Sequence, residues 1–447
     1  MKTAVNGLQY QPMNPYLAEY KRKLTTPDKA AALVKNGDTL IPGTSVSEPP
    51  ALLTAIANRA REGDLKNLKV YTALPMQHCA RTVLAPDLAD VIQAYSWFVT
   101  PADRARIKVG LSYYVPNYIH EIPRLISDYI KLDVFITTVS PIDQSGFFTF
   151  GAVNDNASVA ARKCRTLIVE VNENMPRVFG DSLLHISEVS AAVENHVPLL
   201  ELHSPEPKPE DENVAKNIIG LIPDGATIEL GLGGIPNAIA HLLKDHKDLG
   251  IHTGVFVPAM VDLIEKGVIN GRKKTLHPRK HVFMVAQGTK RMYDFINDNP
   301  SMESYPASYT ENPEVIAKND NMISVNTIIE VDLTGQCNAE FMAGSQFSGT
   351  GGQLDFVRGA FNSKGGRSIQ AFYSTARNGK ASRIVPRLET GTVVTIPRMD
   401  THYLATEYGA VDLKGKSTRE RALDIISLAH PHFRDELLRE AENMYLI

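Results

Sequence analysis

The chain has 447 residues, of which 43% are hydrophobic and 22% charged, and its formal net charge is −3 at pH 7. This length allows two or three domains with cores of their own, and the weak negative charge excludes the basic excess typical of nucleic-acid-binding proteins. No stretch approaches the ~18 apolar residues of a membrane helix, Met1–Tyr20 contains no apolar leader, and three scattered cysteines define no disulfide framework. We therefore expect a cytoplasmic protein without nucleic-acid or membrane partners.

An internal repeat organises the chain. Val34–Gly43 and Ile222–Gly231 align without a gap, and each contains a glycine turn followed by a short apolar run that ends in a second glycine. Prolines then mark the first turn of a helix, where the missing N–H of proline would be unpaired anyway. The pattern predicts a strand, a loop and a helix in each half. The prolines are Pro49, Pro50 and Pro236.

The boundary between the two halves is predicted in a charged, proline-rich segment. Three prolines stand among the charges of residues 205–212, and proline cannot continue a helix or a central strand. We therefore divide the chain into an N-terminal domain of residues 1–204, a linker of residues 205–212 and a C-terminal domain of residues 213–447. Asn213–Leu221 is predicted to be a helix that opens the second domain.

Short runs rich in β-branched residues predict buried strands. They are too short for isolated helices, and they alternate with helical segments such as Arg419–Ala429. This alternation predicts the α/β class, with two similar α/β domains built on largely parallel or mixed sheets. In such folds ligands bind where strand ends meet helix N-termini. The runs are Val134–Val139, Thr166–Val171 and Val393–Ile396.

A first glycine segment, Gly231–Asn237, follows the strand of the second repeat. Glycine lets a ligand approach the backbone closely, and the unpaired N–H groups of a helix N-terminus favour an anion. The spacing matches neither the dinucleotide-binding Gly-x-Gly-x-x-Gly pattern nor a P-loop. The alternative is a tight turn that only packs the helix on the strand.

A second glycine segment, Ser348–Phe356, contains three glycines. Backbone N–H groups in such a segment can stabilise the oxyanion that develops on a thioester, at about 3 kcal/mol per donor. A surface hairpin turn is the alternative. Aromatic side chains that indicate either a partly aromatic acyl pocket or a core are Phe98, Tyr113, Tyr114 and Tyr118.

Both glycine segments resemble those of the acyl-CoA:carboxylate CoA-transferases, closest to the 4-hydroxybutyrate and butyryl-CoA:acetate type. The resemblance implies a two-domain CoA-transferase fold with the active site between the halves. It also implies an acyl-CoA and a carboxylate as substrates, no cofactor beyond CoA, and a homodimer, while the histidine spacing indicates no metal site. The candidate CoA-binding residues are Gly231, Leu232, Gly233, Gly234, Ile235, Gly349, Thr350, Gly351, Gly352 and Gln353. Further matching motifs are Ser47–Pro50, Val139–Pro141, Phe179–Asp181, Gly288–Phe295, Glu330–Gln336, Thr406–Gly409 and Ala429–Pro431.

One position departs from that family. The family has His-Ser/Thr-Glu where this chain has His252-Thr253-Gly254, and the family's glutamate forms a mixed anhydride and then a thioester with CoA. Glycine has no group that can form either intermediate. Residues 255–260 and Gln287 also differ from the family pattern, which favours natural divergence over an engineered substitution at Gly254. His252 itself is expected to be structural.

Glu48 is the candidate for the missing carboxylate. It lies on the first-half loop that corresponds to the first glycine segment, opposite Pro236 in the repeat. We predict that it is a general base or a substitute nucleophile. The alternative is a carboxylate that caps a helix N-terminus.

Three functions are open at this point. The first is an enzyme that exchanges CoA between carboxylic acids and acts on a small or medium acyl-CoA, and the resemblance favours this function. The second is a hydrolase of an acyl-CoA or of a C–C bond, with water as the nucleophile. It is suggested by analogy with relatives of the fold that lack the glutamate and cleave C–C bonds. The third is a CoA-binding protein without catalytic activity.

Overall fold

The computed structural model describes residues 14–447, so the prediction for Met1–Tyr20 lies partly outside the described residues. The first half of the chain alternates strands and helices, as the sequence predicts. Its strands are β1 (Thr39–Pro42), β2 (Leu68–Ala73), β3 (Ile92–Phe98), β4 (Ser112–Tyr114), β5 (Val134–Val139), β6 (Phe147–Thr149), β7 (Thr166–Val171), β8 (Phe179–Gly180), β9 (Leu183–His185) and β10 (Ala191–Glu194). Its helices are α1 (Pro15–Lys23), α2 (Pro27–Ala31), α3 (Pro50–Arg61), α4 (Gln77–Arg81), α5 (Pro101–Lys108), α6 (Ile122–Arg124) and α7 (Ala157–Lys163).

The second half repeats this alternation with more short strands. Its strands are β11 (Thr227–Leu230), β12 (Gly250–Phe256), β13 (His281–Ala286), β14 (Met302–Ser304), β15 (Met322–Thr327), β16 (Glu330–Asp332), β17 (Cys337–Asn338), β18 (Phe341–Met342), β19 (Ser345–Gln346), β20 (Arg367–Ala371), β21 (Thr375–Ala376), β22 (Ala381–Ser382), β23 (Ile384–Val385), β24 (Tyr403–Thr406) and β25 (Gly409–Asp412). Its helices are α8 (Pro209–Ile219), α9 (Gly234–Leu242), α10 (Pro258–Glu265), α11 (Lys290–Ile296), α12 (Ala307–Thr310), α13 (Pro313–Ile316), α14 (Gln353–Asn362), α15 (Thr418–Ser427) and α16 (Pro431–Asn443).

Each half is built around one large sheet. The first sheet has the strand order β10-β7-β5-β1-β2-β3-β4, and every neighbouring pair in it is parallel. The second has the order β25-β24-β20-β15-β11-β12-β13-β14-β8 and is parallel except for the edge pair β24 and β25. Its last strand, β8, comes from the first half of the chain. The predicted α/β class with two related sheets is therefore confirmed.

The internal repeat is confirmed at the level of structure. In the first copy β1 leads through a loop into α3, and in the second copy β11 leads into α9. The turn glycines Gly37 and Gly225 have nearly the same φ, +78° and +80°. Residues with a Cβ rarely adopt this left-handed conformation, which explains why both copies have glycine there.

Two sequence predictions need correction. The helix predicted at Asn213–Leu221 is observed as α8, Pro209–Ile219, because Pro209 opens it as its first residue, a position that tolerates a missing N–H. Val393–Ile396 is not a strand; within it, Ile396 makes a single bridge to Cys337. Its β-branched residues lack the neighbouring strand that a ladder requires. The strands at Val134–Val139 and Thr166–Val171 are confirmed, and the domain boundaries themselves stay a prediction.

A large hydrophobic cluster spans both halves of the chain. The largest buried cluster combines residues of the first half, such as Phe148 and Phe150, with residues of the second, such as Phe283 and Met284. Backbone hydrogen bonds add to this contact, because the Ala286 N–H donates to the Ala152 carbonyl at 2.7 Å. None of the helices within residues 14–447 has the length and apolar character needed to cross a bilayer.

The repeat provides a matched test of how tightly each strand end is packed. A Cβ on Gly43, at the end of β1, would overlap the Ser47 carbonyl oxygen and lie 2.6 Å from Thr137 Oγ1, whereas a Cβ on Gly231, at the end of β11, has its nearest neighbour at 3.3 Å. We expect Gly43→Ala to lower the free energy of unfolding by about 1–3 kcal/mol, because the backbone must shift. Gly231→Ala, the control, should cost clearly less. Urea unfolding measures both, and equal losses would contradict the difference in packing.

Candidate active site

A cavity of about 630 Å³ lies where strand ends of the two sheets meet. The first half lines it with Leu74–Gln77, which follow β2, and with Phe98 and the residues after it, which end β3. The second half contributes Gln287 after β13 and part of the first glycine segment after β11. Since carboxyl ends of parallel strands gather at one sheet edge, this is the place where an α/β fold binds a ligand.

The first glycine segment reaches this cavity through Leu232 and Gly233. Gly233 is the N-cap of α9 and has a φ of +133°, a conformation that a side chain would disfavour. Gly234 instead packs against the carboxylate of Asp211, with no room for a Cβ. Of the five residues predicted from this segment, Leu232 and Gly233 therefore line the cavity, and Gly231, Gly234 and Ile235 do not.

The second glycine segment packs against an aromatic wall of the same cavity. A Cβ on Gly351 would lie 2.8 Å from the ring of Phe98, and one on Gly349 would lie 3.1 Å from the Cα of Phe98. Ser348 lines the cavity directly, and Thr350 lines a neighbouring cavity of about 390 Å³ with Tyr114 and Tyr118. Of the predicted aromatic residues, Phe98 thus belongs to the main cavity, and Tyr113 is half exposed and lines neither.

Glu48 lies behind the cavity wall and holds the backbone that forms it. Its Oε1 accepts a hydrogen bond from the Met76 N–H at 2.6 Å, and its Oε2 accepts from the N–H groups of His78 and Cys79, both at 3.1 Å. The side chain is 2% exposed and does not line the cavity. Burial raises the pKa of Glu48 to about 7, although these hydrogen bonds act in the opposite direction. The geometry favours the helix-capping alternative for Glu48, here at α4, and its catalytic role stays a prediction.

A polar contact joins the two halves at the cavity wall. The side-chain amide of Gln287 donates to Ser45 Oγ at 2.9 Å, and Ser45 Oγ lies 3.5 Å from the sulfur of Met76. Ser45 and the cavity-lining Leu74 have positive φ values, +55° and +47°, which are unfavourable for residues with a Cβ. Such backbone strain persists only where the surrounding structure enforces it, and it is common at functional sites.

Gly254 lies inside β12, and the space beside it is filled by a carboxyl group from another element. A Cβ on Gly254 would overlap Oε1 of Glu311, and a Cβ on Gly352 would overlap Oε2 of the same side chain. Glu311 directly follows α12 and is 2% exposed. The sequence analysis missed it. The signal was a glycine within a strand, which often marks the close approach of another group.

His252 fixes the segment that carries Glu311. Its Nε2 lies 2.8 Å from the carbonyl oxygen of Thr310, and since a carbonyl only accepts, Nε2 carries the proton. Burial lowers the pKa of His252 to about 3, so the ring is neutral at physiological pH. These contacts support the predicted structural role of His252. Within residues 14–447, no group of three His, Cys, Asp or Glu side chains is arranged to hold a metal ion.

Two family models match the chain. The model described as the acetyl-CoA hydrolase/transferase N-terminal domain matches residues 10–201. The model described as the acetyl-CoA hydrolase/transferase C-terminal domain matches residues 288–441. The first glycine segment and Gly254 lie between the two matched ranges, and the second glycine segment lies within the C-terminal one.

Individual proteins are similar over nearly the whole chain. A succinyl-CoA:cyclohexane-1-carboxylate CoA transferase from Geobacter metallireducens is 41% identical, with 96% of this chain and 97% of the relative covered. A 4-hydroxybutyrate coenzyme A transferase from Clostridium kluyveri is also 41% identical, with 95% and 99% covered. The crystal structure of RipA from Yersinia pestis is 48% identical, covers 97% of this chain and 100% of its own, and superposes with a TM-score of 0.93. By contrast, an acetyl-CoA hydrolase from Yarrowia lipolytica is 30% identical over 50% of this chain and 42% of the relative.

The position of Glu48 predicts an effect on stability rather than on turnover. In Glu48→Gln, the amide NH₂ must face a backbone N–H, and the lost hydrogen bond leaves a buried donor unpaired. We expect the free energy of unfolding to fall by about 1–3 kcal/mol, with turnover per folded molecule unchanged. Glu62→Gln, at an exposed position after α3, is the control and should alter neither quantity. A loss of turnover of about 100-fold or more, without a loss of stability, would instead support the predicted base.

Proposed function

This chain belongs to the acetyl-CoA hydrolase/transferase family, and on this basis we propose that it is an acyl-CoA:carboxylate CoA-transferase that exchanges CoA between carboxylic acids. The observation that carries the proposal is the first glycine segment at a cavity bounded by both halves of the chain. The relatives that match nearly the full length are CoA transferases, whereas the hydrolase matches half of the chain. This favours transfer over hydrolysis.

The cavity offers separate surroundings for the polar and the apolar parts of a thioester substrate. Gly233 and the N-terminus of α9 present backbone N–H groups, which suit the anionic and amide groups of CoA. Phe98 presents an apolar ring beside Gly349 and Gly351, which suits the hydrocarbon part of a small or medium acyl group. The second glycine segment contacts this ring, and its backbone N–H groups are the proposed donors to a developing oxyanion.

An acyl-CoA and a carboxylate are the proposed substrates, and no cofactor beyond CoA is proposed. A homodimer and a cytoplasmic location are proposed from the resemblance and from the composition, respectively.

Label exchange tests the proposed reaction. The protein is incubated with butyryl-CoA and radiolabelled acetate, and free thiol is measured in parallel. A transferase places the label in acetyl-CoA and releases negligible thiol when no carboxylate is added. A hydrolase releases thiol stoichiometrically without an acceptor, and a binding protein does neither, so either result would contradict the proposal.

The contact between Gly351 and Phe98 predicts a defect in substrate binding. In Gly351→Val, the new side chain meets the ring of Phe98 and pushes it into the cavity, so the Kd for an acyl-CoA should rise by about tenfold or more, or about 1.4 kcal/mol. Gly344→Val is the matched control, because Gly344 also has a positive φ of +76° but has no atom within 4 Å of an added Cβ. Calorimetry measures both variants, and an equal Kd in the two would contradict the assignment of the second glycine segment to the site.

A further inference from the structure

The carboxyl group of Glu311 occupies the volume that a side chain at position 254 would need. An ideal Cβ on Gly254 would overlap Oε1 of Glu311, and the neighbouring strand residue His252 anchors the carbonyl of Thr310, one residue before Glu311. The resemblance places the family's carboxylate at position 254. In this chain, a carboxyl oxygen from the end of α12 therefore lies against the backbone of β12 from which that side chain would project.

The second glycine segment lies against the same carboxyl group. Gly352 is the N-cap of the ten-residue helix α14, and it has no room for a Cβ because Oε2 of Glu311 fills that space. This helix N-terminus is a favourable place for a negative charge. On the same segment, Gly349 and Gly351 contact Phe98, which lines the cavity. One short stretch of glycine backbone thus contacts both Glu311 and the cavity wall.

Glu311 lacks the partners that a structural carboxylate normally has. Among residues 14–447, its Oε2 has no hydrogen-bond partner, although the side chain is 2% exposed. A buried polar group without a partner costs free energy, so its presence calls for an explanation, and a catalytic role is one. Glu48, by comparison, is equally buried but has backbone donors on both oxygens.

Resting on the proposed function, we propose that Glu311 is the catalytic carboxylate of this chain and replaces the side chain missing at Gly254. An ionised oxygen of Glu311 attacks the thioester carbonyl of the acyl-CoA, the C–S bond breaks, and CoA leaves as a thiolate. The thiolate then attacks the Glu311 carbonyl of the resulting mixed anhydride, which releases the first carboxylate and leaves CoA bound to Glu311 as a thioester. The second carboxylate attacks the carbonyl of that thioester, which expels CoA thiolate and forms a second mixed anhydride. The thiolate then attacks the acyl carbonyl of this anhydride, which forms the new acyl-CoA and releases the Glu311 carboxylate, without a net change in protons.

Two features of the free protein follow from this proposal. Glu311 does not line the cavity, so the proposal requires the segment 348–352 to shift before the thioester reaches it. Burial raises the pKa of Glu311 well above its usual range, and the nearby carboxyls of Asp355 and Glu229 act in the same direction. His252 is neutral, and His120 is paired with Asp355 at 2.8 Å. Because the anion is the attacking form, kcat/KM should rise with pH through this raised pKa.

Trapping of the covalent species identifies the residue directly. The wild-type protein is incubated with an acyl-CoA and treated with borohydride, which reduces an enzyme-bound thioester to an alcohol, and the peptides are mapped by mass spectrometry. We expect the reduced residue to be Glu311. This measurement does not depend on whether a variant folds, and a reduced residue at Glu48 or elsewhere would overturn the proposal.

Substitutions at Glu311 give an independent test. Glu311→Gln keeps the shape but removes the nucleophile, and it should lower kcat by about 1,000-fold or more. Glu311→Asp shifts the carboxyl group by about 1 Å and should cost about 100-fold. Glu314→Gln, at an exposed position of the same segment, is the matched control and should keep the wild-type rate. A folded Glu311→Gln variant with the wild-type rate would contradict the proposal.

Moving the carboxyl group from position 311 to position 254 tests whether side chains at these two positions compete for the same volume. Gly254→Glu alone should be inactive, because the new side chain overlaps that of Glu311. The double variant Gly254→Glu with Glu311→Ala should be at least about tenfold more active than Glu311→Ala, since it restores a carboxyl group next to the volume that Glu311 vacates. A double variant no more active than Glu311→Ala would count against the shared position.

These experiments separate the failure of the inference from the failure of the proposed function. If the wild-type protein shows no label exchange, the CoA-transferase function itself is wrong. If it exchanges label while the Glu311→Gln variant does so equally well, the function stands and the assignment of Glu311 is wrong.

Discussion

The parallel pairing of the strands is the constraint on which the rest of the molecule depends. In a parallel sheet all strands end at the same edge, so the loops after β2 and β3 share one edge of the first sheet, and the loops after β11 and β13 share one edge of the second. The antiparallel contacts between residues 152–154 and β13 bring the two sheets close together. The cavity is therefore a consequence of how two similar halves are paired, and neither half forms it alone.

Glycine has two different roles around the cavity. At Gly233 and Gly351 it allows backbone conformations that a side chain disfavours. At Gly254 and Gly352 it leaves room for a foreign side chain, the carboxyl group of Glu311. A stability optimum would fill that room with an apolar side chain, because a buried carboxyl group without a hydrogen bond is costly. Its presence fits the general trade-off in which an active site gives up stability for reactivity.

Local patterns in the sequence predicted what depends on local physics. The strand–loop–helix repeat followed from turn glycines and prolines, and the bounds of Val134–Val139 followed from a run of buried β-branched residues. Val393–Ile396 has the same composition but no partner strand, and composition alone cannot reveal a partner. The glycine segments could be predicted because closely spaced glycines are recognisable in the sequence itself. Glu311 was not found, since its importance lies in contacts with residues that are distant along the chain.

The placement of β8 has a consequence for the integrity of the chain. This strand belongs to the first half in sequence, yet it pairs with β14 at the edge of the second sheet, and the two halves share a buried core. Residues 201–206 between them are exposed and carry no helix or strand, so a protease can cleave there without disturbing either sheet. The nicked protein should then migrate as one particle under native conditions and separate into two fragments only in denaturant. The same reasoning makes this segment a suitable place to divide the gene for two-fragment complementation.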